Sequence, residues 1–251
     1  MPWRPWRVHF EHNRLRPLPV ITDAHGVPER LRAPLRESLR RFQRGEAGEG
    51  RIAREIDRAR FHPVDADYRA ALKQFVAEEG RHARVLADCV AALDGALLRA
   101  TWTDHLFVRA RRLFGIRFKL LVLLAAEVIG IGFYGLLAGG LGAGAIRDAL
   151  VEIGADEQHH LRFHCAFFSA QASRPGQRLV FALCWYPVAT VAALCVALDH
   201  RRTLAALGLP LSTVTARFAA LIRQAGTLAA THVSTGAAVV PSTTGAPAGG
   251  S

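Results

Sequence analysis

Apolar residues return every three or four positions through most of this 251-residue chain, the period of α-helices that bury one face. One stripe starts near Pro28 with Leu31, Leu35, Leu39 and Phe42, and continues through Glu49, Ile52, Ala53 and Ile56 to a stop at His62-Pro63. A second follows a capping Asp65 or Asp67 and carries Tyr68, Leu72, Phe75, Glu79, His82, Leu86, Cys89 and Leu93, ending at Gly95. A third spans about 117–138, where Glu127 is the only charge between Lys119 and Arg147. A fourth, about 145–171, carries Ile146, Leu150, Ile153, Glu157, His160, His164 and Phe168. The fifth, Leu179 to Leu198, is apolar all round and interrupted by Pro187. The sixth, Ser212 to Val233, is amphipathic through Val214, Phe218, Leu221 and Ile222. No run alternates with the two-residue period of a strand, so the fold class is all-α.

Between and around these stripes the composition changes. Pro2, Pro5, Pro17, Pro19 and Gly26 make residues 1–27 read as an extended N-terminal arm, with Trp3, Trp6 and Phe10 as its anchors. Residues 96–116 form a connection containing Trp102, Phe107, Arg109, Arg111 and Arg112. From Ser234 the chain is dominated by Gly, Pro, Ser and Thr with some Ala, the composition of a disordered tail. The expected organisation is an arm (1–27), a four-helix bundle (28–174), two additional packing helices (175–233) and a tail (234–251).

The polar residues inside the stripes carry the chemistry. Glu79 and His82 are three apart, as are Glu157 and His160, so each pair lies on one helix face. A carboxylate buried without a partner is very costly, and a cation removes that objection. Two such pairs plus one Glu from each of two further helices make a carboxylate-bridged di-metal site in a bundle core. Glu127 is the acid of the third helix. For the first, helical phase and the equal spacing of Glu49–Glu79 and Glu127–Glu157 favour Glu49, with Glu46 the alternative. Four carboxylates and two imidazoles without a thiolate suit two iron ions, or manganese, better than zinc or copper. Gly130, Gly132 and Ala126 would leave room beside Glu127, and Tyr134 lies on the same face. His164 reads as packing or pocket lining. His62, His105, His159 and His200 read as surface or loop residues.

At these motifs the sequence resembles the ferritin-like di-iron carboxylate superfamily, over about residues 40–170. Ala77-Glu78-Glu79-Gly80-Arg81-His82 is similar to the Glu-Glu-x-x-His of acyl carrier protein desaturases and bacterial multicomponent monooxygenases. Ala155-Asp156-Glu157-Gln158-His159-His160 is similar to their Asp-Glu-x-x-His. Gly45-Glu46-Ala47-Gly48-Glu49-Gly50-Arg51-Ile52 resembles the first-helix segment of demethoxyubiquinone hydroxylases, an alignment that would choose Glu46. The resemblance implies a ferritin-like four-helix bundle with two additional C-terminal helices. It also implies that Asp156 orients His82 and Glu78 orients His160, since a ligand imidazole commonly gives its other N–H to a carboxylate.

The expected function is then an oxygenase that activates O₂ to hydroxylate or desaturate an apolar small molecule, served by an electron-donor protein. Ferroxidase or iron-storage activity is the alternative, and a membrane-associated protein with a vestigial site is a third. The formal charge of +11 reads as an Arg-rich solvated surface, because no nucleic-acid motif accompanies it. Cys89, Cys165, Cys184 and Cys195 lie in apolar patterns without a CxxC, which points to buried, reduced thiols. With no signal-peptide core at the N-terminus, the expected place is the cytoplasm. Peripheral membrane contact stays open through the fifth helix and the Arg and Trp residues of the arm.

Overall fold

The structure, a computed structural model, describes residues 3–48, 50, 52–99, 115–172 and 174–231. These residues are all-helical, without a strand among them. The elements are α1 (Arg4–Asn13), α2 (Glu29–Glu46), α3 (Ile52–Glu55, continued by one 3₁₀ turn over Ile56–Arg58), α4 (Ala66–Ala92), α5 (Gly115–Gly139), α6 (Ala145–Gln171), α7 (Pro175–Asp199), α8 (Arg201–Ala206) and α9 (Leu211–Ala230).

Side-chain partners set the helix directions. Tyr68 stacks on Phe167, Phe75 meets His164, Glu78 meets His160 and His82 meets Asp156, so α4 and α6 run antiparallel. Glu127 faces His164 while Gly154 faces Tyr134, which makes α5 antiparallel to α6 across the short glycine-rich link between them. Arg36 of α2 donates to the Leu93 carbonyl beyond the end of α4, and Phe42 of α2 stacks on Phe133 of α5. The core is therefore built by α2, α4, α5 and α6, with Asp65 capping α4 by accepting from the Tyr68 N–H at 2.8 Å. Helices α7 and α9 pack against α5 and against each other, and α9 also packs on α6.

Several expectations change. The arm is not extended throughout: residues 4–13 form α1, packed on α4. Pro5 sits in its first turn, where its missing N–H costs nothing. Trp3, Trp6 and Phe10 fall at helical spacing and are buried against Tyr68, Phe75 and Phe163. The first bundle helix does not continue to His62. It turns at Ala47, in a stretch where Gly45, Gly48 and Gly50 each cost about 1 kcal/mol relative to Ala in a helix interior. Pro187 does not break α7, which is continuous from Pro175 to Asp199. The proline lies on the exposed side, and packed residues on both sides of it, Trp185 and Ala189, hold the helix in place. Cys89 and Cys165 are buried, whereas Cys184 is exposed and Cys195 half-buried; all four are free. Glu49, residues 100–114 of the connection (with Trp102, His105, Phe107, Arg109, Arg111 and Arg112), and the tail from 232 lie outside the described residues.

Candidate metal centre

Helices α4 and α6 bring Glu79, His82, Glu157 and His160 together at the bundle centre, with one ligand atom of each within 4.8 Å of the others. All four are buried. The three-residue spacing puts Glu and His of each helix one turn apart on the inward face, and the antiparallel pairing sets the two motifs opposite each other. His160 Nδ1 is 2.8 Å from Glu79 Oε1, 3.2 Å from Glu157 Oε2 and 3.5 Å from Glu127 Oε2. His82 Nδ1 is 3.3 Å from Glu157 Oε1, yet neither atom has a hydrogen-bond partner, and Glu79 Oε1 also lacks one. Buried polar atoms almost always find partners. Here lone pairs from both helices converge without satisfying one another, which is what a cation would correct. The residues present therefore fit a metal group chemically: oxygen and imidazole nitrogen donors, a buried surround, and unpaired donors facing inward.

No protein family, no characterised protein and no solved structure matches the chain. The site is thus read from its own geometry.

Each inward-facing imidazole is held from its outer side. His82 Nε2 is 3.1 Å from Asp156 Oδ2, and His160 Nε2 is 3.1 Å from Glu78 Oε2. Those contacts fix which ring nitrogen faces the centre. Phe75 lies edge-on to His160 at 4.8 Å and Phe10 of α1 approaches it at 5.8 Å, so apolar rings close this side. Glu127 comes from α5. Gly130 of the same helix lies where a Cβ would be 3.4 Å from the Glu157 side chain, so a side chain there would crowd the carboxylate. The other two small residues expected to leave room do not: Gly132 is covered by Phe218 of α9, and Ala126 is exposed.

Glu46, at the end of α2, also reaches the cluster. The Tyr134 hydroxyl donates to its Oε1 at 2.7 Å. Burial first, then the neighbouring Glu79 and Glu157 carboxylates, push its pKa well above the usual carboxylate range. Burial, followed by Glu157 and Glu79, does the same to Glu127. Glu157 goes the other way: burial alone would raise it, but contact with Glu127 and with His160 and His82 holds it well below. Burial would lower His82, and Asp156 and Glu157 outweigh that and raise it to about 9. A cation bound among these groups would compete with their protons.

Two arginines were not legible as site residues. Arg16, just after α1, donates to Asp156 Oδ2 at 2.5 Å and to Glu78 Oε1 at 3.1 Å, joining the two outer carboxylates. Arg81 donates to Glu152 Oε1 and to the Pro17 carbonyl, both at 2.7 Å, tying that segment to the same layer. No periodicity marks Arg16, because its segment is irregular; only the docking of α1 brings it here. His164, expected as packing or pocket lining, is buried beside the cluster: neither ring nitrogen has a hydrogen-bond partner, and Nε2 is 3.6 Å from Glu127 Oε1. Burial and then His160 lower its pKa to about 3, so the ring is neutral and able to act as a ligand or donor. His200 is not a surface residue either. It is buried between Phe42 and Phe133 and bonded to Ser38 at 2.7 Å. His159 packs on His9 at 4.5 Å, while His62 is exposed as expected.

Proposed function

We propose that the chain is a di-iron carboxylate oxygenase that hydroxylates or desaturates an apolar small molecule. The observation that carries this reading is the convergence of Glu79, His82, Glu157 and His160 with unpartnered donor atoms in a buried site. Glu127 and Glu46 complete a set of four carboxylates and two imidazoles, a donor chemistry that suits iron, or manganese. When bound, such a metal pair supplies the reduction of O₂ and the oxidising power for an unreactive C–H bond, with electrons from a donor protein.

The protein's own residues have separate tasks in this reading. Asp156 and Glu78 orient the two imidazoles, and Arg16 neutralises both carboxylates. Phe10 and Phe75 exclude water from the His160 side. The Tyr134 hydroxyl, bonded to Glu46, holds a proton next to the site. Leu123, Leu124 and Ile131 make α5 apolar around Glu127, in keeping with a hydrocarbon-like substrate.

The test is metal analysis of the purified full chain under iron loading, with gel filtration and O₂ uptake by the reduced protein. The expected result is about two ions per chain, a small particle, and O₂ uptake that quickens with an apolar substrate. Protein that takes up no iron when loaded with excess would end the di-metal reading. A shell-sized particle that mineralises iron would transfer the site to storage.

A further inference from the structure

Helix α7 is built the wrong way round for a helix facing water. Its packed side carries mainly small residues, Ala189, Ala192, Ala193 and Ala197, with Phe181 and Trp185 toward the start. Its outer side carries the branched aliphatics: Val180, Leu183, Val191, Leu194 and Leu198 are all exposed, Leu183 at 65%. Cys184 and Pro187 share that side, and no charged residue interrupts it between Arg178 and Asp199. A surface helix normally shows the opposite distribution, and a contiguous apolar patch of this kind marks an interaction site.

Among the described residues two helices are long and apolar enough to cross a membrane, α5 and α7, and their environments separate them. The most apolar window of α5 is 83% buried and holds Glu127 in the core, whereas that of α7 is only 28% buried. Helix α5 is core. Helix α7 offers its face outward while its other side is packed on α5 and α9.

The charges at the ends of this face name its occupant. Arg174 and Arg178 stand exposed at the start of α7, and Arg201 and Arg202 at its end. A second copy docked through the same face, in either direction, would bring arginines against arginines. Anionic lipid headgroups would instead pair with both ends while acyl chains receive the aliphatic stripe between them. We propose that the outer face of α7 docks the protein onto an anionic phospholipid bilayer, lying in the interface rather than crossing it. This inference does not depend on the metal centre.

The test is flotation of the purified full chain with vesicles of phosphatidylcholine alone or mixed with phosphatidylglycerol. Binding to the mixed vesicles should exceed binding to neutral ones by about tenfold or more and weaken with salt. The double variant Leu183→Glu/Leu194→Glu should lose about tenfold or more in vesicle affinity, with helix content and metal content unchanged. If that variant misfolds, Arg201→Glu/Arg202→Glu decides, and should weaken binding to the anionic vesicles alone. The proposal is overturned if the wild type fails to float with anionic vesicles, or if a folded variant floats as well as the wild type. It is equally overturned if the variant only splits a dimer on gel filtration, which would give the face to a second copy.

Discussion

Glu46 and Arg16 are the residues on which the site turns most sharply. Helical phase argued for Glu49 only if α2 ran on past residue 47, and it does not. Glu46 accepts from Tyr134 within the cluster, and Glu49 lies outside the described residues. We expect Glu46→Ala to reduce the bound metal from about two ions to about one, measured by elemental analysis. Full retention, with loss in Glu49→Ala, would return the role to Glu49. Arg16 touches no inward-facing donor, yet it bridges the carboxylates that aim both imidazoles. Outer partners of this sort are worth about 10–100-fold in metal affinity, so Arg16→Ala should lower affinity by that order in a chelator competition. Arg16→Lys should recover only part, because one ammonium cannot replace at once the Nη2 that bonds both carboxylates and the Nη1 that lies 3.8 Å from Glu152. An unchanged affinity would leave Arg16 as a surface ion pair.

At the level of elements, α1 and α8 are where the chain departs most from its pattern. Trp6 is buried against Phe163 and Phe10. Trp6→Ala should therefore cost about 3–5 kcal/mol in denaturant unfolding, whereas removing an anchor from a loose arm would cost well under 1 kcal/mol. The junction of α7 and α8 contributes His200, whose ring is enclosed by Phe42 and Phe133. Burial first, then Arg41, lower its pKa from 6.5 to about 4, although Asp199 opposes this. The fold thus holds the neutral ring, and the unfolded chain takes up the proton first. Stability is untouched above pH 6.5 and falls as the pH drops from 6.5 toward 4, by on the order of 3 kcal/mol for this one group. Urea titrations at pH 7 and pH 4.5 should show it, and His200→Gln should shrink the difference by about that amount while leaving the share of His9 and His164, whose pKa values are lowered too. An equal slope in the variant would place the acid sensitivity elsewhere.

Across the whole molecule, the chain by itself determined what depends on local periodicity. The all-α class, the extents of α4, α5 and α6, and the buried Glu-x-x-His pairs follow from apolar residues recurring at helical spacing, with carboxylates and imidazoles placed inside those stripes. The helix over 4–13 was not read from the chain: Trp3, Trp6 and Phe10 keep that spacing, but the surrounding prolines pointed to an extended arm. Tertiary structure alone decided the rest. Which side of α7 is packed cannot be read from a helix that is apolar all round, because its periodicity carries no phase. Likewise the end of α2, the approach of Glu46 to Tyr134, the covering of Gly132 by Phe218 and the arrival of Arg16 at Glu78 and Asp156 join residues distant in sequence. Such contacts arise from how helices dock, and no local pattern in the chain encodes the distance between two docked faces.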